Sequence, residues 1–366
     1  LQLSEVEHQK FSFSRPNRGK GKPYPYKKRR NYFMNDKELS PTSQTPVHFY
    51  ENTAWRLVAS LIWIGLLFIL TIGLIISFVG TGNFAMKMVT PNLLIIGLMV
   101  PAMVMIVSAG GLDLSVGSVI GLVGIVVATL MQDLPPIVAV VLGLGLALFI
   151  GLINGALVGL ARIPGVLVTL AMLVLARGLA FAMSEGRPVL LEGNAQALDF
   201  LPVVGWILFV IVGLGSVLLI QLTPFGRRPD PCQSEQVESW LPRALFVGVP
   251  YILSSLMAGF AGILLLQRLR AGMPTTGINM ELNVILAVVI GGTCLGGRFG
   301  TVIGGLLGAV FVAILQPFLV VVGVSSYLQQ LIIGVLLLVG GGLCYGYYAL
   351  VGLVYRNRLK REDASG

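Results

Sequence analysis

The stretch LLIIGLMVPAMVMIVSAGGLDLSVGSVIGLVGIVVATL, from Leu93 to Leu130, decides the fold. It consists of two apolar runs separated by a glycine-rich turn whose one charge is Asp113. A helix crossing the hydrocarbon core of a bilayer takes about 20 mostly apolar residues, a length the first run supplies and the second approaches. Two such runs in succession cannot be hidden in a water-soluble domain of ordinary size, so lipid is the natural solvent.

The same character extends outward in both directions. The chain has 366 residues, 55% hydrophobic and 11% charged, with a mean hydropathy of +0.88. A soluble domain carries about 25% charged residues. Ten apolar runs are expected as spans, at about 55–79, 91–109, 117–132, 135–160, 164–183, 202–222, 245–267, 282–296, 301–322 and 327–354. The third and eighth are short, which suits tilted, broken or re-entrant helices shielded by neighbours. The expected fold is therefore all-α: a polytopic membrane protein of about ten transmembrane helices.

Charge sets the orientation. The net charge of +9 is concentrated before the first span and after the last, where Arg356, Arg358, Lys360 and Arg361 stand. Basic residues favour the cytoplasmic side, and an even number of spans puts both termini there. Arg162, Arg227, Arg228, Arg243 and Arg298 then fall on inside loops, and Lys87, Arg187, Arg268 and Arg270 on outside loops. Basic tails flanking apolar spans follow this rule more simply than they signal nucleic acid, so no nucleic-acid partner is expected. Residues 1–53 are polar and basic, including Lys27-Lys28-Arg29-Arg30, and are expected to form a disordered cytoplasmic tail. The first methionine is Met34, so residues 1–33 are expected to lie upstream of the natural start. Residues 54–355 make the membrane domain and 356–366 a second cytoplasmic tail.

Several chemistries are excluded by composition. The two histidines, His8 and His48, precede every span, which removes a histidine-based site in the membrane. Cys232, Cys294 and Cys344 form no C-x-x-C pair, so neither a zinc nor a redox site is expected. No G-x-x-x-x-G-K-[ST] string occurs, and no nucleophile–base pair stands out. The chain is expected to be no enzyme and to bind no cofactor, and any ATP would be used by a separate subunit.

What remains is a sparse set of polar residues and an abundance of glycine, 46 in all. Gly117 and Gly121, the set Gly151, Gly155 and Gly159, and the set Gly300, Gly304 and Gly308 each lie on one helical face, as small-residue packing surfaces do. Gly117-Ser-Val-Ile-Gly121 echoes Gly300-Thr-Val-Ile-Gly304, and each follows a glycine pair, at 110–111 and at 291–292. Asp113 precedes a helix expected to begin near Ser115. It either caps that helix, lines or gates a pathway, or couples to protons. Asn154 lies on the Gly151–Gly159 face and is suited equally to bonding across helices or to touching a polar solute. Glu281 reads as a solvated interfacial acid or a gate, and Arg177 as a side chain snorkelling to an interface, with substrate binding the alternative. Asp113, Ser115, Asn154 and Glu281 are the pathway or gating candidates.

These residues also carry a resemblance. Gly110-Gly-Leu-Asp-Leu-Ser-Val-Gly-Ser118 resembles the signature of permeases in ribose-, galactose-, arabinose- and xylose-type ABC importers. Glu281-Leu-Asn-Val-Ile-Leu-Ala-Val-Val-Ile-Gly-Gly-Thr293, continued by Gly296-Gly-Arg-Phe-Gly-Thr-Val-Ile-Gly304, resembles the second signature. Phe225-Gly226-Arg227-Arg228 is similar to the start of the family's cytoplasmic ATPase-docking loop, here about 223–244, and Gly323-Val-Ser-Ser-Tyr-Leu-Gln-Gln330 to the entry of its last span. The resemblance runs over about 90–345 and implies a permease in a bacterial inner (plasma) membrane. It implies as partners a second permease copy, identical or a close paralogue, a cytoplasmic ABC ATPase and a periplasmic sugar-binding protein. The cargo implied is a monosaccharide, a ribose-like pentose or a hexose. A nucleoside or branched-chain amino acid is the rival cargo, and an ion-coupled secondary carrier the rival class.

One segment departs from the resemblance. After Arg228 the family continues with a G-N-x-x-A-A-x-x-x-G-I type helix, whereas this chain reads Pro229-Asp-Pro-Cys-Gln-Ser-Glu-Gln-Val-Glu-Ser-Trp-Leu-Pro242. Likeness is expected to resume by about Tyr251. A local frameshift produces a bounded mismatch of this kind; genuine divergence of the docking surface is the alternative.

Overall fold

The computed structural model describes residues 71–72, 83–191, 195–222, 240–293 and 301–363. The basic tail, the docking loop with Phe225, Gly226, Arg227 and Arg228, Gly300, and the first expected span apart from Thr71 and Ile72 lie outside the described residues.

The described residues are helical almost throughout. The helices are α1 (Asn83–Ser108), α2 (Val116–Leu130), α3 (Pro136–Gly159), α4 (Gly165–Ser184), α5 (Leu201–Leu222), α6 (Trp240–Leu269), α7 (Met280–Ile290), α8 (Val302–Val321) and α9 (Ser326–Asp363). Prolines punctuate several of them. Pro135 and Pro164 stand immediately before α3 and α4, where their fixed φ and missing N–H cost nothing. Glycine in the left-handed region ends others: Gly110 (φ 83°), Gly292 (φ 83°) and Gly323 (φ 82°) close α1, α7 and α8.

Seven described helices are long and apolar enough to cross a membrane, over Met88–Ser108, Pro136–Gly159, Gly165–Ser184, Gln196–Leu218, Leu245–Leu269, Val302–Val321 and Ser326–Leu343. The two expected short spans are short here as well. Helix α2 has 15 residues and α7 has 11, or about 22 Å and 16 Å at 1.5 Å per residue, less than the core thickness. The eighth expected span, 282–296, stops at Ile290, because Gly291 and Gly292 turn the chain.

Helices α1, α2, α6, α7 and α8 form the interior. Helix α8 packs along α1 and α7, while α2 lies between α6 and α4, and α3 runs along α6. Leu98, Met99, Met103, Ile106, Ile120, Ile125 and Ile263 are wholly enclosed there. Between α6 and α7 the chain runs through a two-residue strand and then a series of tight turns. The strand, β2 (Ala271–Gly272), pairs antiparallel with β1 (Val189–Leu190), with Val189 opposite Gly272 and Leu190 opposite Ala271. That pairing anchors the connection after α4 to the connection after α6. From β2 the chain then runs down α2: a side chain on Gly272 would meet Gly124 and Ala128, and one on Gly277 would meet Gly117 and Ile120.

Candidate functional site

Two buried polar clusters occupy this apolar interior, one at each end of the first turns of α2. The first is built on the turn between α1 and α2. The Gly110 N–H donates to the Val107 carbonyl (3.0 Å) and the Gly111 N–H to the Ile106 carbonyl (2.9 Å), the paired bonds of a Schellman closure. Three residues later, Asp113 Oδ1 accepts the Ser115 backbone N–H at 2.9 Å and the Ser115 hydroxyl at 2.6 Å. Ser115 occupies the N-cap position of α2 and its own side chain makes no cap bond. Asp113 thus fixes the turn that leads into the helix, two residues ahead of the cap position. The Ser115 carbonyl accepts from Val119 N–H (3.0 Å) and the Ser118 hydroxyl (2.8 Å).

The cluster reaches across to α3 and α6. Asn154 Nδ2 donates to Ser115 Oγ at 3.2 Å, so the amide bonds across helices. Thr169 Oγ1 donates to the Leu112 carbonyl at 3.1 Å, tying the turn to α4. Asp113, Ser115 and Asn154 are all fully enclosed. Five polar atoms around them have no partner among the described residues: Asp113 Oδ2, Asn154 Oδ1, Tyr251 Oη, Ser254 Oγ and Ser255 Oγ. Tyr251, Ser254 and Ser255 stand at i, i+3 and i+4 of α6 and therefore share one face. The Tyr251 hydroxyl sits against the backbone of both Gly111 and Gly165, and a Cβ at either would collide with it.

The second cluster lies between α2, α4 and the turns at 273–280. Arg177 Nη1 donates to the carbonyls of Pro274 (2.5 Å) and Thr276 (2.8 Å). The expectation that Arg177 snorkels to an interface is corrected. The side chain turns inward instead, because the turns after β2 leave the Pro274 and Thr276 carbonyls without a backbone partner among the described residues and a guanidinium can satisfy both at once. Glu281 opens α7 and is only half-exposed, with Oε2 enclosed against Gly117 and lacking a partner among the described residues. The solvated-acid reading of Glu281 does not fit that enclosure. Gly121 makes room for the Arg177 bonds: a Cβ there would stand 2.8 Å from both Nη1 and the Thr276 carbonyl oxygen.

The other glycine faces are contact surfaces of backbone on backbone. Gly151 lies on Ile252 and Ser255, and Gly155 on Gly248, where a Cβ would come within 2.8 Å of the facing carbonyl oxygen. Gly159 is buried. Gly304 abuts Gly291, and Gly308 abuts Ala287. The internal echo at the glycine pairs shifts by one residue in space. Gly110 corresponds to Gly292, since Gly292 N–H bonds Val289 (3.0 Å) and Thr293 N–H bonds Val288 (3.0 Å). Gly323 ends α8 with the same pattern of bonds, so this closure alone does not mark a repeat.

Sequence reasoning placed Asp113, Ser115, Asn154 and Glu281 as candidates, and the fold gathers the first three into one cluster and Glu281 into the other. It missed Tyr251, Ser254 and Ser255, whose helical spacing inside an apolar span was a readable signal. Nothing local to Arg177 pointed to carbonyls about a hundred residues away.

Comparison with known proteins bears on both clusters. Residues 85–230 and 246–340 match the family described as branched-chain amino acid transport system / permease component. The break in that match falls on the segment that departs from the permease pattern, and likeness resumes at 246, slightly before Tyr251. The chain is 31% identical over 258 residues to "Ribose import permease protein RbsC" of Bacillus subtilis, covering 66% of this chain and 79% of that one. It is 32% identical over 256 residues to the Escherichia coli K12 protein of the same name, again covering 66% and 79%. It is 32% identical over 263 residues to "L-arabinose ABC transporter permease protein AraH" of Azospirillum brasilense, covering 67% and 75%. No solved structure matches.

Proposed function

The chain belongs to the branched-chain amino acid transport system / permease component family, and from that premise we propose that it is the membrane subunit of an ABC importer that moves a monosaccharide across the bacterial inner membrane. The observation that carries this reading is the 31–32% identity to ribose and arabinose permeases over two thirds of the chain. The seven long apolar helices make it a multi-pass membrane protein.

The finer organisation is part of the proposal. Ten helices cross or enter the bilayer, residues 54–355 form the permease domain, and the flanking tails at 1–53 and 356–366 are cytoplasmic. A second permease copy completes the pathway. A separate ATPase docks on the 223–244 loop through Phe225, Gly226, Arg227 and Arg228 and uses the ATP, while this chain binds no cofactor. A periplasmic protein delivers the sugar. Closure of the ATPases pushes on the loop, and glycine-faced helices tilt as rigid bodies to switch access. The Asp113–Ser115–Asn154 cluster, with Thr169 beside it, holds α2, α3 and α4 together while they do so.

The decisive experiment reconstitutes the chain with its co-encoded ATPase and binding protein in liposomes. Uptake of a monosaccharide that requires ATP inside and the binding protein outside is the expected result. Uptake driven by an ion gradient without ATP would overturn it in favour of a secondary carrier. The family description favours one other cargo, a branched-chain amino acid, and the ligand of the binding protein decides between the two.

A further inference from the structure

Arg177 stands seven residues before the Ser184 end of α4, about 10 Å along the helix at 1.5 Å per residue. At that depth a charged group is costly against acyl chains and is found facing a cavity or other protein. Arg177 is nevertheless only half-buried, although α4 on either side of it carries exposed apolar side chains. Only Nη1 is engaged, by the Pro274 and Thr276 carbonyls, and the other nitrogens of the fork carry no bond among the described residues. Thr275, between those two acceptors, is exposed.

Behind this surface the guanidinium is held by its two carbonyl bonds and by the bare backbone of Gly121, while Glu281, against the next glycine along α2, Gly117, lies within electrostatic range of it. Unbonded N–H donors held by the carbonyls that flank an exposed threonine, at membrane depth, are suited to the oxygens of a neutral polyhydroxylated solute. Resting on the importer reading above, we propose that Arg177 and Thr275 form a sugar-contact point on the wall of the translocation pathway, with Glu281 as a positioning residue for the guanidinium.

The test uses the full chain with its ATPase and binding protein in liposomes, with Cys232, Cys294 and Cys344 replaced by serine. Arg177→Cys and Thr275→Cys are compared with Leu214→Cys, a position 61% exposed on α5. A charged, membrane-impermeant methanethiosulfonate is expected to modify positions 177 and 275 at least ten times faster than 214. Binding protein loaded with its sugar is expected to slow both at least threefold. Rates no faster than at 214, or rates indifferent to sugar, overturn the contact point. Should Arg177→Cys fail to assemble, Thr275→Cys carries both outcomes. Wild-type uptake in the same liposomes reports on the importer reading separately, so unreactive thiols beside intact uptake sink the contact point alone. Glu281→Gln is expected to raise the apparent KM for uptake at least threefold with little change in ATP hydrolysis, and an unchanged KM overturns its part.

Discussion

Helices α1 and α4 have nearly the same mean hydropathy, 2.1 and 2.2, yet 78% of one and 28% of the other is buried within the chain. The Ser326–Leu343 part of α9, at 1.6, is 11% buried. In water the more apolar helix would go inside. In lipid the solvent is as apolar as the core, so hydropathy does not sort helices and close packing does. Close glycine contacts line the interior helices and the face of α3 against α6, while α4, α5 and α9 present Leu, Val and Ile outward.

Glycine substitution breaks that contrast most sharply. Gly262→Leu on α6 forces a side chain onto the Ile120 backbone of α2 and is expected to destabilise the protein by about 3 kcal/mol. Gly215→Leu on α5, where an added Cβ meets nothing within 4 Å, is expected to stay within about 0.5 kcal/mol. Melting temperatures in detergent compare the pair, and equal losses would refute the division into interior and outer helices.

Next in size is the carboxylate at the turn. Asp113→Ala strands the Ser115 N–H and hydroxyl and is expected to cost about 2 kcal/mol. Asp113→Asn keeps an acceptor, so a smaller loss of stability is expected, with impaired uptake at normal expression. Asp133→Asn, at an exposed position, is expected to leave uptake unchanged. Wild-type uptake by Asp113→Asn would count against any part for Asp113 in transport.

Tyr251→Phe removes a hydroxyl that has no partner among the described residues. It is therefore expected to be neutral or stabilising by up to about 1 kcal/mol. A clear loss of stability would mean that the hydroxyl is bonded in the membrane. The smallest effect is expected on the surface. Asp199 accepts from Gln267 (3.0 Å) and Arg270 (2.7 Å) with both ion-pair side chains well exposed. Asp199→Asn is expected to shift the melting temperature slightly at low salt and not at all at high salt, because exposed pairs are screened.

Much of the fold was legible in the sequence, and the reasons are particular. The runs around Leu93–Val107 and Ile137–Val158 are spans because only long apolar helices satisfy every backbone group in lipid. Gly117, Gly151 and Gly155 were legible as packing positions from spacing alone. The strand and turns from Ala271 to Asn279 were not, since the Pro274 and Thr276 carbonyls are answered from another helix. Arg177 lies 97 residues from Pro274, and no periodic pattern links them.

By itself the sequence determined the solvent, the run of helices and the places where a carboxylate or amide must find a partner, because the bilayer sets the length and polarity of anything that crosses it. Which partner each polar group found was decided only by the tertiary structure. Asn154 reached Ser115, and Arg177 reached two carbonyls, once glycine faces had let backbones close to van der Waals distance. That closeness is a property of helices packed together, and it is absent from any one of them.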